Sequence, residues 1–176
     1  FTLGNLNAKR DWGSAKDYVE SMWLMLKAKK ASDYVISTGK SYTVKRFVEE
    51  AFKYVGIKIH WKGKGLNEIG YIMKNKKKEI IIKIDKNYFR PNEVNYLRGN
   101  ANKAYRELKF NPKYSFKDLV KDMIDSDLLK AQKELRKCIP SGSHFLFKNL
   151  SYYTAPKARK KLFLAPNPSF RFAGPF

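Results

Sequence analysis

The chain has 176 residues, 43% of them hydrophobic, which is enough for one domain with a core and more than a disordered chain contains. No run approaches the roughly 18 consecutive apolar residues of a transmembrane helix. The N-terminus lacks the basic and apolar regions of a signal peptide, and Phe1 opens the chain without an initiator methionine. The single cysteine, Cys138, cannot form an internal disulfide. We therefore expect a fragment of a longer, cytoplasmic protein without a membrane span.

The net charge is +21, produced by 29 lysines and 8 arginines against 16 acidic residues. This excess favours polyanionic partners, among them nucleic acids. The chain is also rich in Lys, Asn, Ile, Tyr and Phe, which AT-rich coding favours, so part of the charge can reflect composition alone. No RNA- or DNA-binding motif accompanies it. A basic nucleic-acid-binding or interaction module stays open as an alternative, and we expect nucleic acid not to be the partner.

The first predicted elements are a helix and a short strand. Residues 15–29 place apolar side chains at helical spacing, and Ser14 with Asp17 fits a capping box at the start of that helix. A strand is predicted over residues 34–37, closed by Gly39. The apolar face predicted for the helix consists of Ala15, Tyr18, Val19, Met22 and Leu26.

A second helix is predicted between Thr43, as its N-cap, and Gly56, as its C-terminal stop. Alternation over residues 57–61 predicts a strand with one buried face, a Gly- and Lys-rich loop is predicted over residues 62–75, and the β-branched run 79–85 predicts another strand. The buried face predicted for the second helix consists of Val44, Phe47, Val48, Ala51, Phe52 and Val55.

Three further helices are predicted after the strands. Pro91 suits the first position of a short helix, and Asn100 is expected to cap a helix that runs to about Leu108. Ser115 and Asp118 form a second capping box, which opens a helix towards Leu135. Because helices alternate with short strands, the fold class is predicted to be α/β.

Residues 136–176 have a different composition from the rest of the chain. They contain no Asp or Glu, eight Lys or Arg, and five of the seven prolines, with aromatic residues at no regular period. We predict two regions, residues 1–135 as the folded part and residues 136–176 as a basic, disordered tail, such as a read-through product or a mis-joined exon. A functional basic-aromatic arm is the alternative.

Two segments carry a family resemblance. Residues 4–20 read Gly-Asn-Leu-Asn-Ala-Lys-Arg-Asp-Trp-Gly-Ser-Ala-Lys-Asp-Tyr-Val-Glu, and residues 88–94 read Tyr-Phe-Arg-Pro-Asn-Glu-Val. Together they resemble the C-terminal, substrate-binding half of the GDP-mannose 4,6-dehydratases, members of the extended short-chain dehydrogenase/reductase superfamily. The resemblance covers residues 1–134 and implies the C-terminal half of that NAD(P)-binding Rossmann-type fold, with an unrelated tail.

The resemblance implies an activity for the complete protein. Such enzymes use bound NADP to oxidise C4 of the mannose unit, eliminate water across C5 and C6, and return the hydride to C6, which opens the route to GDP-fucose. The partner implied is GDP-mannose, and complete members form dimers or tetramers. Half of such an enzyme is expected to expose apolar surface that the other half covers. A related nucleotide-sugar dehydratase or epimerase stays open as an alternative.

Three residues are the candidate substrate-binding site. An arginine fork can hold two phosphate oxygens, and by resemblance Arg10 contacts the diphosphate side of the sugar nucleotide. Arg90 and Glu93 match the family's Arg-Pro-x-Glu positions, which hold the nucleotide portion. From the charges alone, Arg10 could instead form a surface salt bridge with Asp11 or Asp17. Ser14 departs from the histidine that many members carry, and serine is expected to cap the helix in its place.

The motifs for reaction chemistry are expected to lie outside this chain. The glycines of the 62–75 loop have the wrong spacing for a dinucleotide-binding turn. Two Tyr-x-x-x-Lys matches, at Tyr54 and Tyr153, are interrupted by Gly56 and Pro156 and are taken as accidental. We therefore predict no catalytic, cofactor-binding or metal-binding residue here, and binding of GDP-mannose without turnover. The residues available for a zinc site are too few: His60, His144 and Cys138.

Overall fold

The computed structural model describes residues 1–90 and 94–137. In chain order its elements are β1 (Thr2–Leu3), β2 (Lys9–Arg10), α1 (Ala15–Leu26), β3 (Tyr42–Thr43), α2 (Val44–Tyr54), β4 (His60–Lys62), a 3-10 turn (Gly65–Asn67), β5 (Ile69–Lys74), β6 (Lys77–Ile84), α3 (Asn102–Glu107) and α4 (Phe116–Lys137). Within these two described ranges, no helix has both the length and the apolar composition needed to cross a membrane.

The strands form two sheets. Four strands are ordered β1-β6-β5-β4, with β1 parallel to β6 and the other neighbours antiparallel. Strands β2 and β3 form a separate antiparallel pair. Helices pack against this mixed sheet, so the predicted α/β class is confirmed.

The core lies between α2, α4 and the inner face of the larger sheet. All six residues predicted for the buried face of α2 are buried. Five of them pack with Ile72 of β5, Ile82 of β6 and one stripe of α4, whereas Val44 packs in a second cluster with Leu6 and Ala8. That stripe repeats every three to four residues, as a helix packed on one side requires: Phe116, Val120, Ile124, Leu128 and Ala131.

The predicted caps of α2 and α4 are present. The Thr43 hydroxyl oxygen accepts from the Arg46 amide at 3.0 Å, and Gly56 follows the helix with φ of +77°. At α4, Asp118 accepts from the Ser115 amide at 2.9 Å and from its hydroxyl at 2.6 Å, while the Ser115 hydroxyl oxygen accepts from the Asp118 amide. Helix α4 continues to Lys137, two residues past the predicted boundary at 135.

The α4 capping box predicts a pH-dependent contribution to stability. Donation by the Ser115 hydroxyl, and then by its amide, lowers the pKa of Asp118 below the usual range. Because the folded state binds this proton more weakly, the stabilisation is present above the unfolded pKa and is lost as pH falls through the folded pKa. Replacing Ser115 with alanine should raise the Asp118 pKa in a carboxyl NMR titration. Ser126→Ala, at an exposed site on the same helix, should leave that pKa where it is; equal effects would contradict the assignment.

Two sequence predictions about strands are wrong. Residues 34–37 form no strand, because the described residues place no strand beside them. The second part of the predicted 62–75 loop is β5, which pairs with β4 and β6. Gly70 contributed to the prediction of a loop. A Cβ at this position would meet Trp61, Ile82 and Ile59 at 3.0–3.2 Å. This glycine is required by close packing within a strand rather than by a turn.

The remaining elements differ from prediction mainly at their ends. Strand β4 covers His60–Lys62, so it begins later and ends one residue later than the predicted strand over 57–61, although Ile57 is buried. Strand β6 begins at Lys77, before the predicted start at 79. The N-cap position of α3 is Ala101, and the predicted cap, Asn100, accepts from the Asn102 amide at 3.1 Å.

Helix α1 is capped as predicted but buries a different face. Ser14 is the N-cap, and its hydroxyl oxygen accepts from the Lys16 amide at 3.3 Å. Asp17 does not complete a capping box; its carboxylate accepts from the amides of Lys113 and Tyr114, both at 3.1 Å. The predicted apolar face is wrong as a core face, because Asp17 and Ser21 are buried while Val19, Met22 and Leu26 are exposed.

Candidate functional site

The site is built around β2, which lies between two chain segments distant in sequence. On one side, Lys9 pairs with Thr43 and Arg10 with Tyr42 of β3. On the other side, the Lys9 amide donates to the Asn95 carbonyl at 2.8 Å, and the Leu97 amide donates to the Lys9 carbonyl at 3.1 Å. The fold therefore brings the Lys-Arg-Asp-Trp string into direct contact with the segment that follows Arg90.

The guanidinium of Arg10 bonds to backbone carbonyls at the junction between β2 and the segment after Arg90. Its Nη1 donates to the Val94 carbonyl at 2.7 Å and to the Lys9 carbonyl at 2.9 Å. The side chain is half-buried, so the positive group is positioned at the surface rather than extended into solvent. A planar guanidinium fixed in this way can present a paired set of donors to an anion. The Lys9 ammonium lies nearby, 5.9 Å from the centre of the Tyr96 ring.

The Asp11 carboxylate joins the turn after β2 to two other loops, residues 38–39 and the loop that contains Gly99. Its carboxylate accepts from the amide and hydroxyl of Thr38 at 3.1 and 2.5 Å, from the Gly39 amide at 2.9 Å and from the Gly99 amide at 3.3 Å. Both acids proposed as surface partners of Arg10 are thus engaged elsewhere, Asp11 here and Asp17 at the amides before α4. Sequence reasoning missed this role of Asp11, because its partners lie 27 to 88 residues away.

Two tyrosines surround the Asp11 carboxylate. Burial, and then the Asp11 charge, raises the pKa of Tyr105, whose hydroxyl donates to the Ser37 carbonyl at 3.0 Å. Burial also raises the pKa of Tyr18, with smaller contributions from Asp11 and Asp17. Both phenols therefore stay protonated at neutral pH, and the Tyr105 hydroxyl acts as a hydrogen-bond donor.

Trp12 anchors the same string in the core. Its ring centre lies 5.2 Å from that of Phe47 and 5.9 Å from that of Phe116. Phe116 also stacks on Tyr42 of β3, with ring centres 4.0 Å apart. These four rings form one aromatic cluster that fixes β2 and β3 against α2 and α4. The backbone that carries Arg10 is therefore rigidly supported.

Arg90 lies on the loop after β6, and its side chain is exposed. This loop is held against the N-terminal turn, since a Cβ on Gly4 would lie 2.2 Å from the Tyr88 carbonyl oxygen. Arg90 is four residues before Val94, which limits its Cα to about 14 Å from that of Val94. Glu93, and the helix predicted to begin at Pro91, lie outside the described residues.

The described glycines do not form a cradle for NADP. Gly63, with φ of +88°, approaches the Asn67 backbone, and Gly65 opens a three-residue 3-10 turn. A dinucleotide site needs a glycine-rich turn that leads into a longer helix. Helix α2 ends at Tyr54, two residues before Gly56, and the Tyr54 hydroxyl donates to Asp125, so Tyr54 and Lys58 do not share one helical face. The Tyr153 match lies outside the described residues.

Comparison with known proteins gives the family. The family model described as GDP-mannose 4,6 dehydratase matches residues 1–123. The chain is 51% identical to GDP-mannose 4,6 dehydratase of Drosophila melanogaster over 128 residues, 73% of this chain and 32% of that protein. It is 45% identical to the human enzyme of that name over 128 residues, 73% of this chain and 34% of the other. The chain belongs to the GDP-mannose 4,6 dehydratase family, as the two segments indicated.

Two solved structures share the fold. RMD from Pseudomonas aeruginosa, solved with NADPH, matches 68% of this chain and 33% of its own, with a TM-score of 0.51 and 15% identity. A putative epimerase from Burkholderia cenocepacia matches 72% of this chain and 35% of its own, with a TM-score of 0.55 and 21% identity. The chain therefore shares its α/β fold with these two proteins. The chain spans about a third of its relatives' length, less than the half expected.

One relative matches a longer part of the chain. GDP-mannose 4,6-dehydratase sdnI of Sordaria araneosa is 40% identical over 152 residues, 86% of this chain. A match of this length extends beyond α4, which ends at Lys137. The division of the chain at residue 135 and the disordered tail stay predictions.

Proposed function

We propose that this chain is the substrate-binding portion of a GDP-mannose 4,6-dehydratase, a lyase that converts GDP-mannose to GDP-4-keto-6-deoxymannose. The observation that carries the proposal is the 51% identity to an enzyme of that name over 128 residues, a stretch that represents most of the described fold. In this proposal Arg10 binds the diphosphate, while Arg90 and Glu93 bind the nucleotide. The chain supplies binding, and the oxidation and elimination steps take place on groups outside it.

The geometry around Arg10 supports diphosphate binding. The guanidinium is held by two carbonyls, its backbone lies between two paired segments, and Asp11 and Trp12 fix the following turn. A cation that is already ordered loses little further side-chain entropy when an anion binds. Charge-assisted bonds of this kind contribute about 1.5–3 kcal/mol each.

In this proposal the complete protein uses NADP, which would supply hydride transfer. The remaining portion of the fold would hold NADP, because the described residues here do not fit a dinucleotide. We further propose a cytoplasmic homo-oligomer, a dimer or tetramer. GDP-mannose would then be bound jointly, with this chain holding the nucleotide and diphosphate and the NADP-bearing portion facing the sugar.

Replacing Arg10 with alanine should weaken GDP-mannose binding by about 1.5–3 kcal/mol, roughly ten- to 150-fold in Kd, because a charge-assisted contact is lost. The measurement is calorimetric titration of GDP-mannose into the full chain fused behind the remaining portion of the Drosophila relative. Arg106→Ala is the matched control, because it removes an exposed arginine of α3 far from β2 in sequence.

The competing interpretations are distinguished by titrating the same fused protein with other ligands. A related epimerase or dehydratase would bind a UDP- or dTDP-sugar more tightly than GDP-mannose. A basic nucleic-acid module would bind RNA or DNA of any sequence with an affinity that falls steeply with salt. No GDP-mannose binding by a folded fusion, or equal binding by the Arg10 and Arg106 variants, would refute the proposal.

A further inference from the structure

The four-stranded sheet has two different faces. Strand alternation and the register between β4, β5 and β6 decide which residues share a face. Gly70, Ile72 and Ile82 lie on the inner face, where all three are buried. The residues that alternate with them lie on the opposite side of the sheet, and we call them the outer face: His60, Lys62, Ile69, Tyr71, Met73, Lys78, Ile80 and Lys83.

The outer face is basic and partly apolar. Its three lysines are exposed and lie on two different strands. The one acid of the strands in this sheet, Glu79, lies opposite the buried Ile72 and therefore on the inner side. Met73 and Ile80 of the outer face are 52% and 49% exposed, and Met73 lies directly opposite Lys78. Half-exposed apolar side chains thus stand beside ammonium groups with no carboxylate among them.

Tyr71 is enclosed by its neighbours on this face. The His60 ring from β4 stacks on it, with ring centres 5.5 Å apart, and the Lys78 ammonium from β6 lies 5.3 Å from the centre of the Tyr71 ring. Because β4 and β6 flank β5 on opposite sides, these two groups approach the Tyr71 ring from opposite sides. The ring is therefore not available to stack on a nucleic-acid base, which is how sheet faces bind single strands.

The turn between β5 and β6 adds further positive charge. Residues 74–78 read Lys-Asn-Lys-Lys-Lys. Asn75 and Lys76 have φ of +50° and +62°, as in the tight two-residue turns that close antiparallel hairpins. Lys76 is exposed at this turn. The basic surface therefore extends from the outer face to the end of the hairpin.

We propose that the outer face and the 74–78 turn form a docking surface for a lipid bilayer with anionic headgroups. Lysine ammoniums are attracted to the anionic headgroups, and apolar side chains among them can enter the boundary between headgroups and acyl chains. Met73 and Ile80 favour a bilayer over RNA, because RNA offers phosphates to the lysines but no apolar layer. This inference goes beyond the proposed function, since Arg10 lies on β2 in the other sheet.

The test measures binding of the full chain to vesicles by co-sedimentation. Vesicles of phosphatidylcholine and phosphatidylserine should bind the chain, vesicles of phosphatidylcholine alone should not, and the binding should weaken as salt is added. The double variant Lys62→Glu/Lys78→Glu should lower the vesicle partition coefficient by at least about tenfold, because each lysine near an anionic surface contributes about fivefold.

The matched control is Lys29→Glu/Lys30→Glu. It makes the same change in charge at two exposed lysines of the loop after α1. Because charges away from the bilayer are screened by salt, it should lower the partition coefficient by less than about threefold. The eight basic residues of 136–176 are present in every variant and so contribute to all of them alike.

The apolar contact is tested separately by Met73→Thr/Ile80→Thr. This variant keeps every charge and a β-branched residue in each strand. It should weaken vesicle binding by at least about threefold, because less apolar surface is removed from water. Its affinity for single-stranded polyuridylate should be unchanged. Circular dichroism of each variant checks that its fold is retained.

The outcomes decide between a bilayer, a nucleic acid and net charge alone. No binding to the anionic vesicles, equal losses in the two lysine variants, or unchanged vesicle binding by the Met73/Ile80 variant would overturn the inference. So would a loss of polyuridylate affinity in the Lys62/Lys78 variant that exceeds its loss of vesicle affinity. GDP-mannose affinity of the fused protein should not change in the Lys62/Lys78 variant. Failure of GDP-mannose binding with vesicle binding intact would count against the proposed function and not against this surface.

Discussion

Replacing Phe116 with alanine should lower the free energy of unfolding by about 3–5 kcal/mol, the largest loss expected from a single substitution here. Phe116 is buried at the start of α4, where it stacks on Tyr42 and contacts Trp12 and Phe47. Its removal leaves a cavity at the point where α2, α4 and the β2–β3 pair meet. Urea unfolding followed by circular dichroism measures the loss.

The control for Phe116 is Leu129→Ala. Leu129 lies on the same helix but is 57% exposed, so truncation should change the unfolding free energy by less than about 0.5 kcal/mol. A loss of under about 1 kcal/mol for the Phe116 variant would mean that the aromatic cluster does not support the Arg10 strand.

The second large effect is expected for Asp11→Asn, which should lower the unfolding free energy by about 2–4 kcal/mol. In this structure Oδ1 accepts from the Thr38 amide and hydroxyl, while Oδ2 accepts from the amides of Gly39 and Gly99. An asparagine can keep only one of these acceptors, because its amide nitrogen is a donor. Whichever way it is oriented, at least one backbone amide loses its acceptor, either that of Thr38 or those of Gly39 and Gly99, while the Thr38 hydroxyl can rotate to accept instead.

Amide hydrogen exchange tests this interpretation directly. At least one of the backbone amides of Thr38, Gly39 and Gly99 should exchange faster in the Asp11 variant, and GDP-mannose affinity in the fused protein should fall because the turn after Arg10 loosens. Asp127→Asn is the matched change at a more exposed acid, whose 3.6 Å contact with Lys130 should contribute little. Unchanged exchange at all three amides would show that Asp11 does not hold these loops together.

Local patterns predicted α2 and α4 well because the apolar residues and caps that specify each helix lie within its own segment. The apolar spacing, the Thr43 cap and Gly56 define α2, and Ser115 with Asp118 defines the start of α4. Arg10 was selected by family resemblance rather than by its charge, and its role in binding stays a prediction. Its partner, the Val94 carbonyl, is 84 residues away and has no sequence signature.

The errors share one physical cause, which is that pairing and burial depend on distant residues. Residues 34–37 have the composition of a strand but lack a neighbour among the described elements, whereas β5 has the appearance of a loop and gains two neighbours. Asp17 has the spacing of a capping residue, but two amides almost 100 residues away compete for its carboxylate.

The sequence by itself determined the family, through two segments that resemble it. It also determined the α/β class and the two best-formed helices with their caps, because short-range spacing and side-chain chemistry specify these elements. Only the tertiary structure decided which side of α1 is buried, which segments become strands, and how Asp11 and the aromatic cluster support Arg10. Those properties depend on long-range hydrogen bonds and packing, and the energy of a buried carboxylate outweighs the local preference of an apolar stripe for the core.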